Sequence, residues 1–247
     1  MTALKSALLS SLLSGTPVTA DLASLDAEEL SFDGSERELL VQGMEQRLHH
    51  LRSGAPDRAL LAEQTLSWAA PLAEQHHLSA MRRDLEEQSF AIVHPDAWAA
   101  LSAQISPDED SALLRQMLAE AQGITQRLEV SADITGRVKS LYSTHRKLER
   151  KGLALDELAD RVALRLQLPD EASCYQALDD LHRRYAPVPS EFDDYIATPK
   201  ANGYRSLHTA VVVPGSSTLV EFQLRTAQMH QYAERGDAAH WVYKLQA

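Results

Sequence analysis

Apolar residues in the first half of the chain recur at helical spacing. Leu40, Met44, Leu48 and Leu51 form one such set, and Leu61, Thr65, Trp68 and Leu72 form a second. Each set lines one stripe of a helix, and no period-two alternation interrupts them. A further helix is predicted from Ser79 to Val93 through Met81, Leu85 and Phe90, stopping at His94-Pro95 and followed by Trp98, Leu101 and Ile105. Ser106-Pro107-Asp108 reads as punctuation, with the next helix expected from about Ser111 along Leu114, Met117, Leu118 and Ala121. Ahead of all these, serines break up the leucines of Met1–Gly15 and Lys5 is the only charge. That stretch reads as a short amphipathic or frayed lead-in rather than a signal peptide.

From about Leu128 the period changes. Leu164, Leu166 and Leu168 alternate with Ala163, Arg165 and Gln167, and Val220, Phe222 and Leu224 alternate with Glu221, Gln223 and Arg225, the pattern of half-buried strands. Between them fall a helix around Cys174 to Tyr185, a proline turn at Pro187 to Pro189, and a strand at His208 to Val213. The expected architecture is α+β: an all-helical region over residues 1–125, then a mixed central β-sheet flanked by helices over 126–247.

Composition narrows the picture. In 247 residues, 24 Lys and Arg face 35 Asp and Glu, a formal net charge of −11, which argues against an unspecific polyanion binder. Cys174 is the only cysteine, excluding an intrachain disulfide or a cysteine-cluster metal site and fitting a reducing cytoplasm. No run approaches the roughly 18 apolar residues that a membrane span needs.

Against this acidic background, Gly136–Lys151 carries six basic residues and one acid. Taken as a helix, it gathers Lys139, Ser143, Arg146, Lys147 and Arg150 on one face, with Val138, Leu141, His145 and Leu148 opposite; Gly152 suits its C-terminal cap. Clustered guanidinium and ammonium groups suit a polyphosphate, although a solvated helix face has the same periodicity. Glu221, Gln223 and Arg225 share one side of their strand, which fits either a base or metal ligand among polar partners or simply a wet sheet face. Asp160 stands at the start of the other strand, where strict alternation would turn it inward with the leucines; the strand must then begin later for Asp160 to act. Glu191–Thr209 is a loop of turn formers in which Asn202-Gly203 permits a tight turn. That turn would expose Tyr204 for stacking on a base, with Lys200 and His208 near phosphates, or serve only as hairpin punctuation.

Five blocks in order over about Glu129–Lys244 resemble the synthetase domain of the RelA/SpoT family of guanosine polyphosphate (alarmone) enzymes. They are Gly136-Arg137-x-Lys139-x-x-Tyr142-Ser143; Asp156-Glu157-Leu158-x-Asp160; Asp194 to Thr209 through Pro199-Lys200-x-Asn202-Gly203-Tyr204; Val220-Glu221-x-Gln223-x-Arg225-Thr226; and Ala238-Ala239-His240-Trp241. The resemblance implies a nucleotidyltransferase-like fold and transfer of pyrophosphate from ATP to the 3′-hydroxyl of GDP or GTP with Mg²⁺. It implies that Asp160 binds the metal and that Glu221 acts as general base or helps hold it. Arg137 and Arg165 would sandwich adenine, and Lys139, Ser143, Arg146 and Lys147 would hold the ATP phosphates. Tyr204 would stack on guanine, with Lys200, Asn202, His208, Gln223, His230 and Asp194 on the GDP/GTP side.

The acidic run Glu191-Phe192-Asp193-Asp194 matches the form of this loop in synthesis-dedicated members. Residues 59–105, with Thr65-Leu66 and Ala70-Pro71-Leu72-Ala73, resemble the last helices of the family's hydrolase domain. The chain has no His-Asp dipeptide to start a hydrolase metal site, so no hydrolysis is expected. It stops just after the synthetase blocks, without the C-terminal regulatory domains of long members, so ribosome or tRNA association is not expected; the oligomeric state is open. Two other readings compete: a toxic small relative acting on adenosine nucleotides or tRNA 3′ ends, and a catalytically silent nucleotide-binding module.

Overall fold

The computed structural model describes residues 3–18, 30–54 and 57–235; the Ala238–Trp241 block lies outside the described residues. The chain divides into two units, Met1–Ala103 with Ser140–Tyr142, and Gln104–Lys139 with Ser143–Ala247.

The first unit is helical: α1 (Ala3–Ser14), α2 (Gly34–Ser53), α3 (Arg58–Gln64), α4 (Ala70–Gln75), α5 (Ser79–Val93) and α6 (Pro95–Gln104). Both predicted apolar stripes are inside it, from Leu40, Met44, Leu48 and Leu51 to Leu61, Thr65, Trp68 and Leu72. Of the two readings of the lead-in, amphipathic or frayed, the frayed one fails, since Ala3–Ser14 is a helix. Leu8 and Leu12 of α1 are fully buried, because α1 packs on α2 at Gly43, where an added Cβ would stand 2.7 Å from that of Leu12. Thr65–Ala69 makes a π-helical turn between α3 and α4, and α2 lays Arg47 beneath it. This guanidinium is fully buried. It donates to Thr65 Oγ1 (2.9 Å), Ser11 Oγ (3.1 Å) and the Leu61 carbonyl (3.2 Å), with Trp68 against its face at 4.9 Å.

The second unit opens with α7 (Pro107–Arg127), then β1 (Asp133–Val138), α8 (Leu141–Lys151), β2 (Val162–Leu168), α9 (Glu171–Arg184), β3 (Ala186–Pro187), β4 (Asp193–Asp194), β5 (Leu207–Val212), β6 (Leu219–Thr226) and α10 (Ala227–Arg235). Ser106-Pro107 starts a helix rather than breaking the chain. Ser106 Oγ accepts from the Glu109 N–H, and Pro107 occupies the first turn, where its missing N–H costs nothing. Leu113, Met117, Ala121 and Ile124 of α7 then join the core of the sheet, so α7 groups with the second unit and the division falls near residue 103 rather than 125.

The sheet runs β1-β2-β6-β5-β3, with β4 also on β5; β2 and β6 are parallel and the other pairs antiparallel. It is the mixed sheet with helices that the alternation predicted. Its apolar face, with Val162, Leu164, Leu166, Val220, Phe222 and Leu224, packs with α7 and with Cys174, Ala177 and Leu181 of α9. The helix expected over Gly136–Lys151 begins only at Leu141. Gly136-Arg137-Val138 instead pairs with Leu164-Ala163-Val162, and at Gly136 the strand passes α7 so closely that a Cβ would meet Leu114 Cδ1 at 2.6 Å. Gly152 ends α8 at φ +63°, as expected of its cap. Among the described residues no helix is long and apolar enough to cross a membrane.

Candidate active site

The other face of the sheet carries the chemistry. Strand register aligns Arg137, Ala163, Glu221 and Ala210 in one row across β1, β2, β6 and β5, and Thr135, Arg165, Gln223 and His208 in the next. Paired residues in adjacent strands share a face, so the predicted Arg137, Arg165, Glu221, Gln223 and His208 project together. Ala163 and Ala210 flank Glu221 in its row, and the Glu221 side chain is 18% exposed.

Asp160 reaches this side because β2 starts only at Val162. Asp160 lies in the preceding turn, outside the alternation that would have turned it inward. The turn is clamped from behind: Arg161 donates to both carboxylate oxygens of Asp110 on α7 (3.0 and 2.6 Å) and to Thr218 Oγ1 (2.7 Å), while its carbonyl accepts from the Lys139 N–H. Two ammonium groups converge on Asp160 Oδ2, Lys139 at 2.6 Å and Lys147 at 2.8 Å. Lys139 reaches it from a strand end and Lys147 from α8, not both from one helix face as the sequence suggested. Burial pushes the Asp160 carboxyl up, but the hydrogen bonds and charges of Lys139 and Lys147 outweigh it and hold it below the usual carboxylate range. Burial pulls the Lys139 ammonium down, and Asp160 recovers part of that cost.

Glu221 is balanced in the same way. Burial raises its pKa, hydrogen bonds from His208 and Gln223 work against that, and the net position is below the usual range. Its Oε1 is 3.2 Å from His208 Nδ1 and its Oε2 accepts from Gln223 Nε2 at 3.4 Å. The negative charge of Asp160 also acts on Glu221, so the two carboxylates sense each other.

The loop before β5 is folded onto this face. Gly203 sits at φ +75° in the Asn202-Gly203 turn, and Asn202 Oδ1 accepts from the Tyr204 N–H at 3.2 Å. Tyr204 is half-buried rather than exposed as the turn suggested, because its hydroxyl lies 2.8 Å from His208 Nε2. Lys200 Nζ stands 4.2 Å from the Tyr195 ring centre and 5.5 Å from that of Tyr204. Asp194 organises the loop: Oδ1 accepts from the Ile196 and Ala197 N–H groups, and the Tyr175 hydroxyl reaches Oδ2 at 3.0 Å. His230 accepts from Arg225 at 2.8 Å. Glu234 of α10 approaches Arg165 and Arg225, each at 3.6 Å. Ser143 is half-buried and Arg146 and Arg137 are exposed.

Several participants escaped the sequence reading. Asp110 lies 51 residues from the Arg161 it clamps, and nothing in the local pattern of either marks the pair. Arg225, which the alternation placed beside Glu221 and Gln223 without a role, is 3% exposed; burial lowers its pKa, with Arg165 nearby adding to the shift.

A divalent cation fits this chemistry. Asp160 Oδ1 is buried and has no hydrogen-bond partner among the described residues, while Oδ2 is fully engaged. Among the described residues no group of three or more His, Cys, Asp or Glu is placed to cage a metal. One or two carboxylates completed by phosphate oxygens are what Mg²⁺ typically takes.

Comparison with known proteins agrees with the motif blocks. Residues 136–247 match the family described as "Region found in RelA / SpoT proteins". The GTP pyrophosphokinase rsh of Brucella ovis is 36% identical over 221 residues, covering 87% of this chain and 29% of that protein. The GTP pyrophosphokinase of Escherichia coli (strain K12) is 38% identical over 211 residues, covering 83% and 28%. The chain therefore spans less than a third of the length of these curated relatives. Among solved structures, small alarmone synthetase 1 from Bacillus subtilis bound to its product pppGpp is 26% identical, with 56% of this chain and 80% of that one covered at a TM-score of 0.48. A GTP pyrophosphokinase family protein from Streptococcus pneumoniae is 25% identical, with 57% and 77% covered at 0.49. Residues 136–247 are thus a RelA/SpoT domain, and the chain is homologous to the RelA/SpoT GTP pyrophosphokinases.

Proposed function

We propose that the protein is an alarmone synthetase that transfers the terminal pyrophosphoryl group of ATP to the 3′-hydroxyl of GDP or GTP, giving ppGpp or pppGpp. The observation that carries this reading is the pair of ionised carboxylates sharing one sheet face, one bracketed by two lysines and the other bonded to a histidine.

Such a transfer depends mainly on positioning and on offsetting phosphate charge. Lys139 and Lys147, with Arg146 beside Lys147, supply cations for the donor triphosphate, Ser143 one turn earlier on α8 adds a hydroxyl, and Arg137 and Arg165 flank its adenine. Tyr204 stacks on the acceptor guanine, and Lys200, Asn202, His208, Gln223 and His230 line that side, with Asp194 fixing the loop. Glu221 takes the proton of the 3′-hydroxyl: it is ionised at neutral pH and its side chain is partly exposed. The 3′-oxygen of the acceptor ribose then attacks the β-phosphorus as the bond to the α–β bridging oxygen breaks and AMP departs. Mg²⁺, held by Asp160 with Glu221 adjacent, would supply charge neutralisation on the phosphates.

The helical unit is read as a remnant of the family's hydrolase domain without hydrolytic activity, and the compartment as the cytoplasm. The test is anion-exchange separation of nucleotides after incubation with ATP, Mg²⁺ and GDP, GTP, ADP or tRNA. New guanosine polyphosphate is expected. Labelling of tRNA or ADP alone would overturn the acceptor, and no product from any acceptor would leave a binding module.

A further inference from the structure

The hydroxyl of Tyr204 has a function separate from that of its ring. Tyr204 Oη lies 2.8 Å from His208 Nε2, and His208 Nδ1 lies 3.2 Å from Glu221 Oε1. With His208 as the neutral imidazole, the donor and acceptor inventory orders this chain. An ionised carboxylate only accepts, so Nδ1 must carry the proton. In a neutral imidazole the remaining lone pair is then on Nε2, and the tyrosine O–H fills it. We infer that the Tyr204 hydroxyl is a positioning group that locks His208 in the Nδ1–H tautomer, so that the imidazole donates to Glu221 and aims it at the acceptor hydroxyl.

The surroundings hold the lock in place. The Tyr195 ring meets Tyr204 edge-on at 6.1 Å and His208 at 5.5 Å, restricting both rings. The Tyr204 backbone is tied to Asn202, and β5 holds His208 opposite Gln223, whose amide donates to the second Glu221 oxygen. Ser206 turns its hydroxyl to the Leu207 and Leu224 carbonyls and Arg225 reaches His230, so the hydrogen-bond partner of the phenol oxygen is His208. Without the hydroxyl, Nε2 could take the proton and turn a bare Nδ1 lone pair toward the carboxylate, an arrangement that repels.

This inference rests on the reading of Glu221 as the base, and it separates two properties of one residue. Tyr204→Phe keeps the stacking ring and removes only the hydroxyl; Tyr204→Leu removes both. With ATP, Mg²⁺ and GDP, Tyr204→Phe is expected to lower kcat about tenfold, the scale of one buried hydrogen bond, with KM for GDP within about twofold of wild type. Tyr204→Leu should raise KM as well. Nitrogen-15 spectra of histidine-labelled protein without nucleotide give a readout independent of turnover. Wild type should show His208 protonated at Nδ1 and bare at Nε2, and Tyr204→Phe should show the other tautomer or a mixture. A wild-type kcat in Tyr204→Phe, or the same His208 tautomer in both proteins, overturns the inference while the synthetase reading stands. A wild type that transfers nothing to GDP or GTP overturns that reading and the catalytic role built on it, while the spectra still decide the tautomer lock.

Discussion

Arg47 in the helical unit and Asp160 in the sheet unit are both charged side chains withdrawn from water, but they are partnered differently. Arg47 meets two hydroxyls, a carbonyl and an indole face, all neutral, and burial pulls its pKa down to about 10. Asp160 has two ammonium groups on one oxygen and, among the described residues, no hydrogen-bond partner on the other. A buried ion whose hydrogen bonds are met by neutral groups ties elements together; here it joins α1, α2 and α3. A buried ion left with an open lone pair, among more positive charge than it needs, is arranged for something that arrives later. The difference between structural and chemical burial lies in the unsatisfied atom, not in the burial.

The largest effect should come from the sheet unit. Glu221→Gln should lower kcat by about 10² to 10⁴-fold, the usual weight of a general base, with thermal melting little changed. Comparable product formation, read by anion exchange, would remove Glu221 from the chemistry. In the helical unit the expected order is reversed. Arg47→Ala should cost about 3 to 5 kcal/mol in urea unfolding, from the cavity and the acceptors it strands, whereas Arg47→Met should recover most of that. An Arg47→Ala protein as stable as wild type would break the contrast.

A smaller effect tests the clamp behind Asp160. Asp110→Asn weakens a charge-assisted pair and should cost about 1 to 3 kcal/mol. Its loss of kcat should be well short of that in Glu221→Gln.

The smallest effect is in pH dependence. Asp160 and Glu221 both titrate below their ordinary values in the folded protein. Their stabilisation is therefore complete above the ordinary carboxylate range near pH 4 and is lost as pH falls through the lowered folded values. Acid unfolding followed by circular dichroism should have a shallower pH slope in Asp160→Asn than in wild type.

What the sequence revealed follows the range of each interaction. The strands around Leu164 and Phe222 were legible because a face buried on helices imposes period two, and that period also put Glu221, Gln223 and Arg225 on one side; the pairing of Arg165 with Gln223 comes from the strand register. The same rule made Asp160 a misfit, and the start of β2 at Val162 resolves the conflict. Gly136-Arg137-Val138 was misread as helix because three residues ahead of a true helix can extend its periodicity; only the pairing with β2 and the closeness of Leu114 decide against it. The α7 boundary was missed because Ser106-Pro107 opens helices as readily as it interrupts them. The Asp110–Arg161 clamp and the Tyr204–His208–Glu221 chain depend on tertiary placement, which local pattern does not encode.

The alanines on either side of Glu221 have a consequence for tuning. Because its neighbours in that row are single methyl groups contributed by adjacent strands, the volume beside the carboxylate can be altered one carbon at a time without substituting a charged group. Ala163 and Ala210 are 6% and 0% exposed, so a valine at either would press on packed neighbours beside Glu221 and test how much extra volume that row tolerates.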